Sequence, residues 1–249
     1  MKEVRAIIER VTRLNEHYQR LHLTIEDFIT EIKPGHSLLV RRLPERWDPY
    51  LREHWWPVGI QGGALVIERP GNIIYEPGEV VSLLGLVGQP FRWKRTLRHV
   101  LLLAYDCAPT PLIMSIPALL SNSVSVTLVL SGSAALYPTK HLPPEVEVFQ
   151  ADDQLAWPNR VMSVGWADQV FAVVNADDEL KHFGMVWKIF SGLRSEIPKT
   201  YLYGVFQAIQ PCGVGACQAC LVAQKGSESS LICLDGPALD MTTLPLESS

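Results

Sequence analysis

The 249-residue sequence lacks any run of eighteen consecutive apolar residues, so we expect no membrane-spanning helix. It also lacks a basic cluster, and its formal net charge of −4 argues against a nucleic-acid-binding surface. No repeat or low-complexity tract occurs. The first residues lack the apolar stretch of a signal peptide, which predicts a cytoplasmic protein. With 47% hydrophobic residues, the composition is that of a globular protein with one large or two small domains.

Cysteine is scarce, but its distribution is uneven. The chain has five cysteines, and four of them lie within 22 residues near the C-terminus. Cys212, Cys217 and Cys220 form a C-x4-C-x2-C motif, and Cys233 follows after twelve intervening residues. This order is associated with a [2Fe–2S] cluster, in which each iron takes two thiolates. We therefore predict that these four cysteines hold such a cluster and that the protein carries single electrons.

Other interpretations of the cysteines stay open at this point. Four thiolates also suit tetrahedral zinc, although structural zinc sites more often have two separate C-x2-C pairs and this chain has one. Two disulfides would suit a secreted protein, and nothing marks the chain as secreted. Gly213 and Gly215 favour the cluster because glycine permits the sharp backbone bends that a tight ligand loop needs. Cys107 stands alone and is predicted to be a buried apolar residue.

The pattern of apolar residues divides the chain into two structural regions. Up to about residue 96, short strands such as Ala64–Glu68 alternate with turns, which is typical of an antiparallel barrel or sandwich. Beyond it, continuous apolar strands such as His99–Ala104 alternate with helical patterns over Pro111–Leu120 and Asp177–Phe190, which predicts a parallel α/β sheet. The expected organisation is a β barrel over 1–96, an α/β domain over 97–206 and a cluster-binding segment over 207–249.

This order of regions resembles the electron-transfer subunit of dihydroorotate dehydrogenase, a branch of the ferredoxin–NAD(P) reductase superfamily. The C-x4-C-x2-C motif and the Cys-Leu-Asp-Gly-Pro sequence that begins at Cys233 carry the resemblance. Hydrogenase gamma subunits and the small subunits of ferredoxin:NADP oxidoreductases share the same plan. The resemblance implies that the barrel binds FAD and that the α/β domain receives NAD(H). It also implies that the cluster passes electrons to a partner oxidoreductase subunit in a hetero-oligomer, with a role in pyrimidine biosynthesis.

The nucleotide-binding motifs of that family are altered in this chain. Its Arg-Pro-x-Ser/Thr flavin signature corresponds to Trp56, Pro57, Val58 and Gly59. The arginine for the flavin phosphate is thus a tryptophan, and the hydroxyl that would face flavin N5 is absent. The family's Gly-x-Gly-Thr turn has no clear counterpart, and Tyr105 and Asp106 replace glycines that would approach a pyrophosphate. We therefore expect no NAD binding, and the sequence leaves FAD binding open because backbone contacts and stacking can hold a flavin.

Three functional hypotheses follow from these residues. The chain is a flavin–iron–sulfur reductase subunit that oxidises NADH, a flavin-free relay or assembly subunit, or a zinc-stabilised interaction module. No catalytic residue is assigned in any of them. The tandem Trp55 and Trp56 would stack on a flavin, fill the space of a lost flavin or form a docking patch. The cysteine motif favours a [2Fe–2S] electron-transfer subunit, and the altered motifs favour a closed NAD site while leaving FAD binding open.

Overall fold

A computed structural model describes residues 1–25, 31–43 and 51–246. The N-terminal region is an antiparallel sheet that forms a half barrel. Its strands are β1 (Lys2–Arg13), β2 (Tyr18–Thr24), β3 (Ser37–Leu43), β4 (Glu53–Trp55), β5 (Pro57–Gln61), β6 (Ala64–Pro70) and β7 (Val80–Val87). The strand order is β4-β3-β7-β1-β2-β6-β5, and every neighbouring pair is antiparallel.

Alternating apolar residues form these strands, because one face of the half barrel encloses a hydrophobic core. Leu21 and Leu23 of β2 and Leu65 and Ile67 of β6 are fully buried, and β2 pairs with β6 so that Leu21 lies opposite Ile67. The predicted antiparallel N-terminal region is therefore confirmed.

The second sheet is parallel except at one edge. Its strands are β8 (His99–Tyr105), β9 (Ser125–Ser131), β10 (Glu147–Ala151), β11 (Gln169–Val174), β12 (Leu202–Val205) and β15 (Ala238–Asp240). Strands β13 (Leu221–Ala223) and β14 (Ser229–Leu231) form a separate hairpin between β12 and β15. The order is β10-β9-β8-β11-β12-β15, and only β15 is antiparallel to its neighbour. Strand β8 is buried on both faces: Leu101 and Leu103 enter one core, and Leu102 and Ala104 enter the other. The predicted α/β region is confirmed.

Short helices cover both faces of this sheet. They are α1 (Thr110–Ile113), α2 (Ser115–Ser121), α3 (Arg160–Trp166), α4 (Glu179–Leu193) and, in the C-terminal segment, α5 (Ile232–Asp235). The helical stretch predicted over Pro111–Leu120 is present, and it is divided at Met114 into α1 and α2. Pro117 is tolerated as the third residue of α2, where the backbone N–H has no partner within the helix. Helix α4 begins as expected, with the Asp178 carboxylate accepting the Lys181 N–H.

The C-terminal segment is structurally continuous with both sheets. Its strand β15 pairs with β12 and so extends the second sheet, a pairing that the sequence pattern did not predict. The backbone N–H of Phe206 donates to the carbonyl of Pro237 at 2.9 Å, which continues this connection. Among the helices that the structure describes, none combines the length and the apolar character needed to span a bilayer.

Candidate metal centre and nucleotide cleft

The four candidate ligands lie on two neighbouring pieces of chain. Cys212, Cys217 and Cys220 belong to a loop over residues 211–220, named here the cysteine loop, which leads directly into β13. Cys233 lies in α5, two residues after the end of β14. The β13–β14 hairpin therefore returns the chain to the loop, and the Ile232 N–H donates to the Cys220 carbonyl at 3.1 Å.

The thiols are arranged as two pairs that backbone amides connect. The Cys217 N–H donates to the Cys212 sulfur at 3.5 Å, and the Cys233 N–H donates to the Cys220 sulfur at 3.5 Å. All five cysteines are free thiols, so the disulfide interpretation is wrong. Within residues 1–25, 31–43 and 51–246, no three His, Cys, Asp or Glu side chains are grouped as ligands of one metal ion.

The glycines of the cysteine loop have the conformations that the sequence predicts. Gly213 has φ of +65° and Gly215 has φ of +76°, a region that favours glycine. A Cβ atom on Gly213 would lie 2.7 Å from the Met1 side chain. A Cβ atom on Gly215 would lie 2.5 Å from a methyl group of Leu234. The loop therefore favours glycine at both positions for its backbone angles, and the ends of the Met1 and Leu234 side chains would have to move to admit a Cβ atom.

The two pairs of thiols differ in their exposure to solvent. Cys220 and Cys233 are each 3% exposed, whereas Cys212 is half-buried and Cys217 is exposed. Backbone N–H groups of Val214 and then Cys217 lower the pKa of Cys212 to about 6, which favours the thiolate form of this sulfur. Burial, followed by the neighbouring Cys220 thiol, raises the pKa of Cys233 to about 12. A metal centre would have to displace the proton of Cys233.

Two residues at the end of the half barrel hold the cysteine segment in place. The Gly88 N–H donates to the Cys233 carbonyl at 3.1 Å, and the Gln89 N–H donates to the Gly236 carbonyl at 2.6 Å. The Gln89 side-chain amide adds a hydrogen bond of 2.9 Å to the Leu234 carbonyl. Sequence reasoning missed Gln89, because no local sequence pattern indicates a contact between residues so far apart in the chain.

Exposed apolar side chains lie around the cysteine loop. Val214, in the loop, is 49% exposed, and Leu221, directly after it, is 51% exposed. Leu234, which packs against Gly215, is 43% exposed, and Ile209 before the loop is 74% exposed. Apolar side chains that border a polar site in this way are typical of surfaces that bind another protein.

The residues that correspond to the flavin signature are packed into the protein. Trp55 is fully buried and Trp56 is 7% exposed, so the docking interpretation of these tryptophans is wrong. Pro57 and Val58 are also buried, and Gly59 is half-buried. The ring of His54 packs on Trp56 with 4.8 Å between centroids, and burial lowers the pKa of His54 to about 4. The imidazole is therefore neutral at physiological pH.

A buried carboxylate connects the half barrel to the second sheet. The side chain of Glu68, on β6, is 0% exposed. It accepts hydrogen bonds from Thr110 at the start of α1 at 3.0 Å and from the Tyr137 hydroxyl at 3.0 Å. The Arg20 guanidinium lies 3.2 Å away. Burial raises the pKa of Glu68, and these three donors oppose that rise. Sequence reasoning missed this residue, although a charge at the end of the apolar run Ala64–Ile67 was a signal.

A small cavity remains where the half barrel meets the carboxyl ends of the second sheet. It measures about 290 Å³ and is lined by Trp56, Glu68 and His54 from one side and by Ala108, Thr110 and Gln207 from the other. Cys107, just before this lining, is half-buried, and burial raises its pKa to about 12. The prediction of a buried Cys107 is thus partly confirmed.

Side chains also fill the turn that follows β8. The Asp106 carboxylate lies 3.4 Å from the Asn175 amide nitrogen and accepts the Ser133 N–H, which lowers the pKa of Asp106. A Cβ atom on Gly132 would lie 3.0 Å from an Asp106 oxygen. The Tyr105 ring packs edge-on against His182 with 5.7 Å between centroids. A pyrophosphate would meet a carboxylate and two rings here, so the residues do not fit NAD.

Comparison with known proteins shows what the cysteine segment and the fold resemble. Residues 209–244 match the family described as the iron–sulfur cluster binding domain of dihydroorotate dehydrogenase B. The whole fold is similar to an NADH-dependent reduced ferredoxin-NADP oxidoreductase, with a TM-score of 0.75 and 16% identity over 97% of this chain and 90% of that chain.

Two further structures share the fold. A ferredoxin reductase of carbazole 1,9a-dioxygenase has a TM-score of 0.58 and 13% identity, over 82% of this chain and 68% of that chain. The cytochrome b5 reductase domain of Ulva prolifera nitrate reductase has a TM-score of 0.55 and 13% identity, over 81% and 97%. A search of curated proteins found no match. The chain therefore has a ferredoxin reductase-like fold, and its residues 209–244 match the iron–sulfur cluster binding domain of dihydroorotate dehydrogenase B.

Proposed function

We propose that this protein is a [2Fe–2S] electron-transfer subunit that relays single electrons to or from a partner oxidoreductase. Cys212, Cys217, Cys220 and Cys233 would hold the cluster. The family match over residues 209–244 and the ferredoxin reductase-like fold support an electron-transfer role. The observation that carries the proposal is the arrangement of the four thiols in two pairs, each connected by an N–H···S contact.

The donor set fits an iron–sulfur cluster in number and in chemistry. A [2Fe–2S] cluster needs two thiolates on each iron, and the two pairs supply them: Cys212 with Cys217, and Cys220 with Cys233. The Gly215 N–H also donates to the Cys233 sulfur at 3.2 Å. Such amide dipoles favour the negative charge that the thiolates and a bound cluster carry.

Because the two pairs of thiols differ in their exposure to solvent, we infer on which side of the cluster electrons enter and leave. Cys217 is exposed and Cys212 is half-buried, whereas the other two sulfurs are enclosed by the core that contains Ile232 and Val222. Electrons would therefore enter and leave on the Cys212 and Cys217 side. The exposed Val214 lies between Cys212 and Cys217 in the chain, and the exposed Leu234 packs on Gly215 of the same loop, so both offer apolar surface to a partner.

The partner and the compartment follow from the same reasoning. The matched family is described as a domain of dihydroorotate dehydrogenase B. A dihydroorotate-oxidising subunit of pyrimidine biosynthesis is therefore the first partner to test. A hydrogenase or another oxidoreductase of the same architecture is the alternative. Five free thiols suit a reducing compartment, and we place the protein in the cytoplasm.

Metal and sulfide analysis of protein purified without oxygen tests the proposal. We expect about two iron atoms and about two acid-labile sulfides per chain, together with the visible absorption of a [2Fe–2S] cluster. A colourless protein with about one zinc ion and no sulfide would contradict the proposal and support the zinc-stabilised module instead.

A further inference from the structure

The fold family implies a flavin between the half barrel and the second sheet, and the residues present there do not fit one. We infer that Glu68 and Trp56 close this cleft to FAD, so that the protein exchanges electrons only with one-electron partners. The second half of this inference rests on the proposed function, because it assumes the iron–sulfur cluster.

The buried carboxylate of Glu68 places a negative charge inside the cleft. Its carboxylate accepts from the hydroxyls of Thr110 and Tyr137 and lies against the Arg20 guanidinium. These are the kinds of groups that would bind a phosphate of a nucleotide, and here an internal carboxylate uses them. A diphosphate brought to this place would be repelled by Glu68 and would find its donors already engaged.

Trp56 fills the other part of the cleft. It stands where the resemblance places the arginine for the flavin phosphate, and only 7% of its surface is exposed. The neighbouring His54 is neutral and packs on the Trp56 ring, so it supplies no positive charge. Arg69, the nearby cation that lines the cavity, is paired with Glu53 and lies over the ring of Trp55.

The enclosed space that remains is small compared with a dinucleotide. The cavity measures about 290 Å³, and pockets that bury ligands of drug size span roughly 300–1,000 Å³. FAD consists of an isoalloxazine and an adenosine joined by a diphosphate, and it is larger than most such ligands. The cleft would have to lose the contact between Glu68 and Thr110 to admit it.

A protein without flavin has a restricted choice of redox partners. NADH gives up a hydride, which carries two electrons, and a flavin is the cofactor that converts such a pair into single electrons. A [2Fe–2S] cluster accepts one electron at a time. The partner must therefore be a flavin-bearing or iron–sulfur-bearing protein that is oxidised by one electron as this protein is reduced by one, or the reverse.

Flavin binding and reduction of the cluster can be measured on the same cluster-loaded protein. Excess FAD is added to the full chain, unbound flavin is removed, and the retained flavin is released by acid and quantified by fluorescence. We expect none above background. NADH should leave the visible absorption of the cluster unchanged, while reduced methyl viologen, a one-electron donor, should bleach it. Retention of about one FAD per chain, or bleaching by NADH, would overturn the inference.

A double variant identifies the residues responsible. Trp56→Arg combined with Glu68→Gln restores a cation and removes the internal anion, and we expect it to retain FAD where the wild type does not. If the folded double variant retains none, the closure is not due to these two side chains. Iron and sulfide content is determined separately, so that loss of the cluster, which would contradict the proposed function, is distinguishable from binding of a flavin.

Discussion

The backbone N–H of Gly215 lies 3.2 Å from the sulfur of Cys233, and this contact joins the cysteine loop to the chain that returns from the β13–β14 hairpin. Gly215 adopts φ of +76° at this contact, and Leu234 packs closely against its Cα. A backbone dipole is thereby directed at a candidate ligand that is otherwise buried among apolar residues.

Gly215→Ala should reduce the iron content of the protein. The added Cβ would meet Leu234 at 2.5 Å, and the left-handed backbone would cost about 1 kcal/mol in addition. Gly226→Ala is the matched control, because Gly226 has φ of +77° with nothing within 4 Å of its Cβ position. Iron and sulfide analysis of both variants checks this. Equal losses in the two variants would show that close packing at Gly215 is unimportant.

Cys217→Ser should abolish the visible absorption of the cluster while the half barrel stays folded. A serine oxygen is a poorer ligand for iron than a thiolate, and Cys217 makes no contribution to the core because it is exposed. Cys107→Ser is the control and should keep full iron content. Circular dichroism monitors folding in both. Full iron content in Cys217→Ser would remove this residue from the ligand set.

Glu68→Gln should lower the free energy of unfolding by about 2–4 kcal/mol, because the Arg20 guanidinium, 12% exposed in its side chain, loses its charged partner. Glu147→Gln, at an exposed position on β10, is the control and should change stability by no more than about 0.5 kcal/mol. Urea denaturation of the two variants measures the difference. A Glu68→Gln variant as stable as Glu147→Gln would mean that the carboxylate does not connect the two sheets.

Glu179→Gln should stabilise the protein at pH 8 but not at pH 4. Burial raises the pKa of Glu179 from 4.5 to about 7. Between these values the folded state binds more protons than the unfolded state, so stability falls as the pH rises through this range. A glutamine avoids that loss and keeps an acceptor for the Gln207 N–H.

The expected gain above pH 7 is about 1–3 kcal/mol, reduced from the full shift by the partial exposure of Glu179. Chemical denaturation of wild type and variant at both pH values measures it. The same difference at pH 4 and pH 8 would show that the ionisation of Glu179 does not affect stability.

Local patterns predicted much of the fold. The continuous apolar run of β8 predicted a strand buried on both faces, and Leu101 and Leu102 do enter opposite cores. The start of α4 was predictable because a carboxylate at Asp178 caps its first turn. The pairing of β15 with β12 was not predictable, because a three-residue strand has too few side chains to specify its neighbour.

The candidate cluster ligands could be identified from the sequence, since the spacing of the cysteines and the glycines between them is a local property of the chain. The arrangement of the thiols in two pairs and the filling of the nucleotide cleft by Glu68 and Trp56 are visible only in the folded structure. Glu68 and Thr110 are 42 residues apart, and their contact depends on how the two sheets pack. Gly215 and Cys233 are 18 residues apart, and their contact depends on the β13–β14 hairpin that returns the chain to the cysteine loop. Sequence shows which chemical groups are available, whereas burial and the position of partners determine which groups those side chains contact.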